Sequence, residues 1–157
     1  MSYLIDSTIF VRIAKRNDPE RQTALDALNN LRADAEDLCY TTQILAEFWN
    51  VCTRPTTARG GLGLSPQETE RKTKMIEKFF RLLPESLATH QEWRRLVTSY
   101  SVSGIQVYDA RLVAVMNVHS ISHLLTFNGN DFKRFSGITV VDPKSITPPA
   151  LQSQTSN

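Results

Sequence analysis

The chain has little of what marks a specialised scaffold. Only two of its 157 residues are cysteine, Cys39 and Cys52, and their spacing fits no zinc-ligand pattern. A disulfide is possible on count but disfavoured in a reducing compartment. The simpler reading is two small apolar side chains. Long apolar runs are missing as well. The longest, Leu112-Val113-Ala114-Val115-Met116, falls far short of the ~20 residues a membrane-spanning helix needs. The start, Met1-Ser2-Tyr3-Leu4-Ile5-Asp6, has no basic region and meets an acid before any signal-peptide core. A cytoplasmic protein without a membrane partner is therefore expected. A strong charge of one sign is missing too. Against 16 Asp+Glu stand 18 Lys+Arg, and the net +2 neither announces a nucleic-acid binder nor excludes one. There is no internal repeat and no heptad series. Gly60-Gly61-Leu62-Gly63 lacks the lysine and the strand–loop–helix setting of a phosphate-binding loop.

What is present is enough for one folded domain. Hydrophobic residues make up 41% and charged residues 22%, which excludes a wholly disordered chain. The length suits a single core. One domain over residues 1–147 is expected, with a frayed tail from 148 to 157, where Ser, Thr, Gln and Pro dominate.

Short apolar segments alternate with helical spacing along the chain. Tyr3-Leu4-Ile5, Leu38-Cys39-Tyr40, Arg81-Leu82-Leu83, Leu124-Leu125-Thr126 and Thr139-Val140-Val141 read as strands. Helices are predicted over Ser7–Lys15 and over Pro19–Ala33, the latter with Asp18 as cap and Pro19 in the first position. A third follows a cap at Thr41 or Thr42 and ends before Pro55. A fourth runs from Ser65 to about Phe80, with Ser65 and Glu68 forming a capping box. Thr89–Ser101 and a buried helix over Val107–Val118 complete the set. Residues 56–64 are expected to be a mobile loop. The alternation predicts an α/β fold: a short parallel sheet between helical layers, a three-layer sandwich. Such sheets take ligands at the carboxyl ends of their strands.

Four acids sit in apolar company near those ends. Asp6 follows the first strand directly. Glu47 lies between Ile44 and Val51 along its helix. Asp109 opens the most apolar helix, and Asp131 follows the fourth strand across Phe127-Asn128-Gly129-Asn130. Each has a plain structural use: Asp6, Asp109 and Asp131 as caps of the helices or turn beside them, Glu47 on an exposed stripe. Convergence on one crevice argues otherwise. Gathered carboxylates repel, and a divalent ion neutralises them most simply. An all-oxygen set favours Mg²⁺ or Mn²⁺ over zinc. Phosphoryl chemistry, with the ion activating water, is the leading use.

The segments Tyr3-Leu4-Ile5-Asp6-Ser7-Thr8, Ile44-Leu45-Ala46-Glu47-Phe48, Tyr108-Asp109-Ala110-Arg111-Leu112-Val113-Ala114 and Leu124-Leu125-Thr126-Phe127-Asn128-Gly129-Asn130-Asp131-Phe132 resemble, in that order, the PIN-domain family. The resemblance is strongest to its VapC-like toxins from bacterial toxin–antitoxin pairs, and it spans roughly residues 3–142. It implies a Mg²⁺-dependent ribonuclease, a cognate antitoxin and a homodimer. Asp6 and Asp109 would be metal ligands, Glu47 a ligand or a water-orienting group, and Asp131 the fourth acid. Ser7, Thr126 and Asn128 would be polar support. Many relatives carry an acid where this chain has Asn128, so Asp131 would have to serve instead.

Other features are weaker. Arg71, Lys74, Lys78 and Arg81 form a basic stripe that would suit RNA phosphates, or would be an ordinary solvated face. Arg54 and Arg59 are alternative phosphate contacts. His90, His119 and His123 read as structural, and Trp49 and Trp93 as core or partner-facing. An RNA-binding module without turnover and an aspartate-nucleophile phosphatase are the competing functions. The phosphatase is disfavoured because Thr8 stands where its second Asp belongs.

Overall fold

The computed structural model describes residues 1–146. Residue 147 and the tail from 148 to 157 lie outside the described residues. Five strands, β1 (Ser2–Ile5), β2 (Asp37–Tyr40), β3 (Arg81–Leu82), β4 (His123–Leu125) and β5 (Thr139–Val141), form one parallel sheet in the order β3-β2-β1-β4-β5. The central strands are buried on both faces, which is why they read as unbroken apolar runs. Thr139–Val141 matches its expected strand, and the others shift by a residue.

Six helices connect them: α1 (Ser7–Ala14), α2 (Arg21–Ala33), α3 (Thr42–Thr53), α4 (Pro66–Phe79), α5 (Leu87–Ser99) and α6 (Gln106–Val118). The chain steps outward from β1 to β2 to β3, then crosses back to β4 on the far side of β1. Right-handed crossovers in opposite directions put α1–α4 on one face and α5–α6 on the other. The packing agrees, since α1 touches α2 and α3, α3 touches α4, and α5 touches α6. The expected three layers follow. So does a switch point between β1 and β4, where such sheets open a crevice at their carboxyl ends.

Local signals place the helix ends. The Thr41 hydroxyl accepts from Ile44 N–H at 3.2 Å. Ser65 and Glu68 form the expected capping box, with Pro66 in the first turn. Two expectations are corrected. Asp18 does not begin α2; its carboxylate accepts from Glu20 N–H at 2.9 Å and pairs with Arg12, so it shapes a turn and the helix starts at Arg21. Nor does α5 wait for Thr89, because Ser86 and Thr89 form a second capping box that starts it at Leu87.

The loop over 56–64 is pinned rather than free. Leu62 and Leu64 N–H groups donate to the Val51 and Cys52 carbonyls at the end of α3, at 3.0 and 2.8 Å, and both side chains pack on the core. Gly61 is needed there, since a Cβ would stand 2.2 Å from the Pro55 carbonyl oxygen.

Candidate carboxylate site

Asp6 leaves β1 at the switch point and is 5% exposed. It occupies the position before α1, yet its side chain makes no cap bond. Its Oδ2 instead accepts from the hydroxyls of Thr8 and Thr126, each at 2.7 Å. Thr126 follows β4, the strand beside β1. Its oxygen also accepts from Asn128 N–H at 3.0 Å, and Thr8 Oγ1 accepts from Phe127 N–H at 3.3 Å. A buried anion is tolerable only with such donors, and each bond to a charged group contributes about 1.5–3 kcal/mol.

Glu47 projects from α3. Ser7, the first residue of α1, donates to its Oε2 at 2.8 Å, and Gln43, one turn earlier on α3, donates to Oε1 at 2.8 Å. The same Gln43 nitrogen reaches the Tyr108 carbonyl on α6 at 3.1 Å. Asp109 is the next residue, in the first turn of α6, which has no side-chain cap. Capping therefore explains neither Asp6 nor Asp109. Asp131 lies inside a 3-10 turn, Gly129–Phe132, that has no side-chain cap either.

The Asp109 carboxyl shows how these acids meet. It is pushed up to about 6, first by burial and then by the carboxylates of Asp131, Asp6 and Glu47, with Arg134 pulling the other way. Acids from four separate segments thus share one field. They do not close on a point: among the described residues, no three His, Cys, Asp or Glu side chains stand close enough to hold one ion. Like charges hold one another apart, and Asp6 and Glu47 are tied to hydroxyl and amide donors. The donor set itself, all carboxylate oxygen with no thiolate or imidazole, fits a hard divalent cation. Beside it, Thr126, Asn128, Asp131 and Lys133 line a polar cavity of ≈ 610 Å³.

The basic residues divide. Lys74 pairs with Glu70 at 3.4 Å, and the Arg54 guanidinium donates to the Arg59 carbonyl at 2.6 Å. Arg81 is held by Asp37, and Lys78 lies over the Phe79 ring. Arg71 lines a shallow cavity with Arg16 and Lys72. None of these reaches the four acids through a hydrogen bond or ion pair. The cations that do stand near the acids, Arg134 and Lys133, follow the 3-10 turn and were not singled out by sequence. Thr8 and Gln43 were also missed as site residues. A hydroxyl two residues after Asp6 is a usable signal for Thr8, and for Gln43 the only local one is its place four residues before Glu47 on a helix.

The chain is thus a parallel α/β domain with acids from four segments near the switch point of its sheet. The sequence profile of the PIN domain matches residues 3–138, and the chain belongs to that family. No curated relative matches it at the sequence level. Solved structures with the same fold include VapBC2 from Rickettsia felis bound to a fragment of promoter DNA, at TM-score 0.69 and 15% identity, covering 90% of this chain and 98% of that one. A toxin–antitoxin complex from Klebsiella pneumoniae follows at TM-score 0.62 and 21% identity, covering 90% and 97%. VapC20 from Mycobacterium tuberculosis, a sarcin–ricin loop cleaving toxin, matches at TM-score 0.59 and 18% identity, covering 83% and 93%. At such identities the likeness speaks for the fold.

Proposed function

We propose that this protein is a Mg²⁺- or Mn²⁺-dependent endoribonuclease of PIN type, the toxin of a toxin–antitoxin pair. The carrying observation is geometric: Asp6 after β1, Glu47 on α3, Asp109 on α6 and Asp131 after β4 gather at the carboxyl ends of β1 and β4. There Gln43 ties Glu47 to the residue beside Asp109, and each of the other three acids acts on the Asp109 carboxyl. A site that keeps four acids together at a cost needs a cation or a proton to settle it, and at neutral pH a divalent cation suits the oxygen donors best. Asp6 and Asp109 would hold the ion, Glu47 would hold it or orient water, and Asp131 would complete the set. Thr8 and Thr126 orient Asp6, and Ser7 orients Glu47, through the hydroxyl bonds above. Asn128, exposed, offers a carbonyl oxygen but no charge. When bound, the ion would supply charge for a phosphodiester oxygen and a more acidic water.

RNA as substrate is supported by the PIN family and by the naming of one structural neighbour as a sarcin–ricin loop cleaving toxin. Lys133, which lines the cavity with Asp131, and Arg134, which acts on the Asp109 carboxyl, are better phosphate contacts than Arg54, Arg59, Arg71, Lys74 or Lys78. An antitoxin partner is supported by neighbours crystallised as toxin–antitoxin complexes. A groove between α2 and α4, lined by Leu25, Met75 and Phe79 together with Arg21, Arg32 and Lys72, offers such a partner a seat. No helix among the described residues is long and apolar enough to cross a membrane. A homodimer would use apolar surface such as Ile105, Tyr108 and Leu87, all exposed.

Purified protein with Mg²⁺ or Mn²⁺ is expected to cut RNA, and Asp6→Asn or Asp109→Asn to abolish cutting. Equal cleavage by the variants rejects the site. Binding without cleavage under either ion selects the module without turnover.

A further inference from the structure

Gln43 lies one turn before Glu47 on α3 and is 8% exposed. Its side-chain nitrogen donates to Glu47 Oε1 at 2.8 Å and to the Tyr108 carbonyl at 3.1 Å. Both partners only accept, so the amide has one orientation, with nitrogen toward them and Oε1 away. That Oε1 is buried with no partner. Ser7 holds the other oxygen of Glu47 at 2.8 Å, so neither oxygen of this carboxylate is without a donor. One side chain therefore ties an acid on α3 to the residue beside the acid on α6.

We infer that Gln43 is a positioning residue of the carboxylate site: its amide sets Glu47 against Asp109 and holds the Glu47 carboxylate ready for a divalent cation. The inference rests on reading the pocket as a cation site. The chemistry at position 43 is restrictive. Leu or Met would fill the same space and avoid an unpaired buried acceptor, but neither donates a hydrogen bond. Glu would set an acceptor against two acceptors. Asn is one methylene too short to span both partners. What glutamine supplies, and none of these four does at this reach, is a neutral pair of donors, and the unsatisfied Oε1 accompanies them.

The test uses the full chain, Mn²⁺ as probe, and the variants Gln43→Met and Gln43→Leu. Both are expected to fold, with Mn²⁺ affinity from a free-ion resonance titration weakened about tenfold to a hundredfold, the range for losing an outer partner of a metal ligand. On an unstructured RNA oligonucleotide, kcat is expected to fall tenfold or more while KM stays within twofold. Folded variants with Mn²⁺ affinity within twofold of the unaltered protein overturn the inference. If neither variant folds, the Gln43 side-chain amide protons of the unaltered protein decide. Slow exchange with water and broadening by substoichiometric Mn²⁺ support the role, and fast exchange or an unbroadened signal overturns it. A protein that binds Mn²⁺ but cuts no RNA sinks the nuclease reading and leaves Gln43 judged on affinity alone. A protein that binds no Mn²⁺ sinks both.

Discussion

Thr126 Oγ1 donates to Asp6 Oδ2 at 2.7 Å across the seam between β4 and β1. The bond joins residues 120 positions apart, at the point where the strand order reverses. It satisfies a carboxylate that burial would otherwise penalise. Thr126→Val keeps the shape and removes the donor, leaving Thr8 alone on that oxygen. The expected loss is about 2 kcal/mol, as for other bonds to charged groups. Urea unfolding is expected to show a lower midpoint at an unchanged slope. An unchanged midpoint would mean that the bond carries no stability.

Asp109 makes the reverse case. Its folded carboxyl is raised to about 6 from an ordinary value of 3.8. The folded state therefore holds this proton more tightly than the unfolded chain does. Its favourable contribution is complete below about pH 4 and is lost as pH rises to about 6. Asp109→Asn removes the repulsion and the buried charge. The metal-free variant is expected to be more stable than the unaltered protein at pH 7, with the difference shrinking as pH falls toward 4. Thermal unfolding in a chelator across that range checks it. A variant less stable at pH 7 would show that Asp109 is not strained by its neighbours.

The two thiols are expected to be silent. Burial is the first cause that pushes Cys39 up to about 12 and Cys52 up to about 11. At pH 8 roughly one thiol in a thousand or fewer would be thiolate, the reactive form. Alkylation of the native protein should be negligible, with both cysteines labelled once urea unfolds it. Rapid native labelling of either residue would place it outside the core.

Much of this was legible from residue order. Apolar triplets ending at an acid located β1 and Asp6, and the nearly uninterrupted apolar face of α6 marked its burial. Ser65, Pro66 and Glu68 announced α4 because a capping box is made within four residues. What was not legible depends on distant partners. Asp18-Pro19 carries the local signature of a helix start, but Arg12 draws the aspartate into a turn. The glycine-rich loop reads as free because its tethers, the carbonyls of α3 and the core that Leu62 and Leu64 pack on, are set by the fold and not by local composition. Gln43 offers in sequence only its place four residues before Glu47, since its second partner is 65 residues away. Arg134 escaped for the same reason: it follows a turn whose position beside Asp109 only the fold decides.

The central claim is that Asp6, Glu47, Asp109 and Asp131 form one divalent-cation site. Substoichiometric Mn²⁺ added to isotope-labelled, metal-free protein tests it directly, because paramagnetic broadening falls off steeply with distance. Resonances of these four residues and of Thr126 are expected to broaden first and together, and Asp6→Asn to weaken the effect at all of them. Broadening centred elsewhere, or spread over unrelated surface acids, would contradict the account.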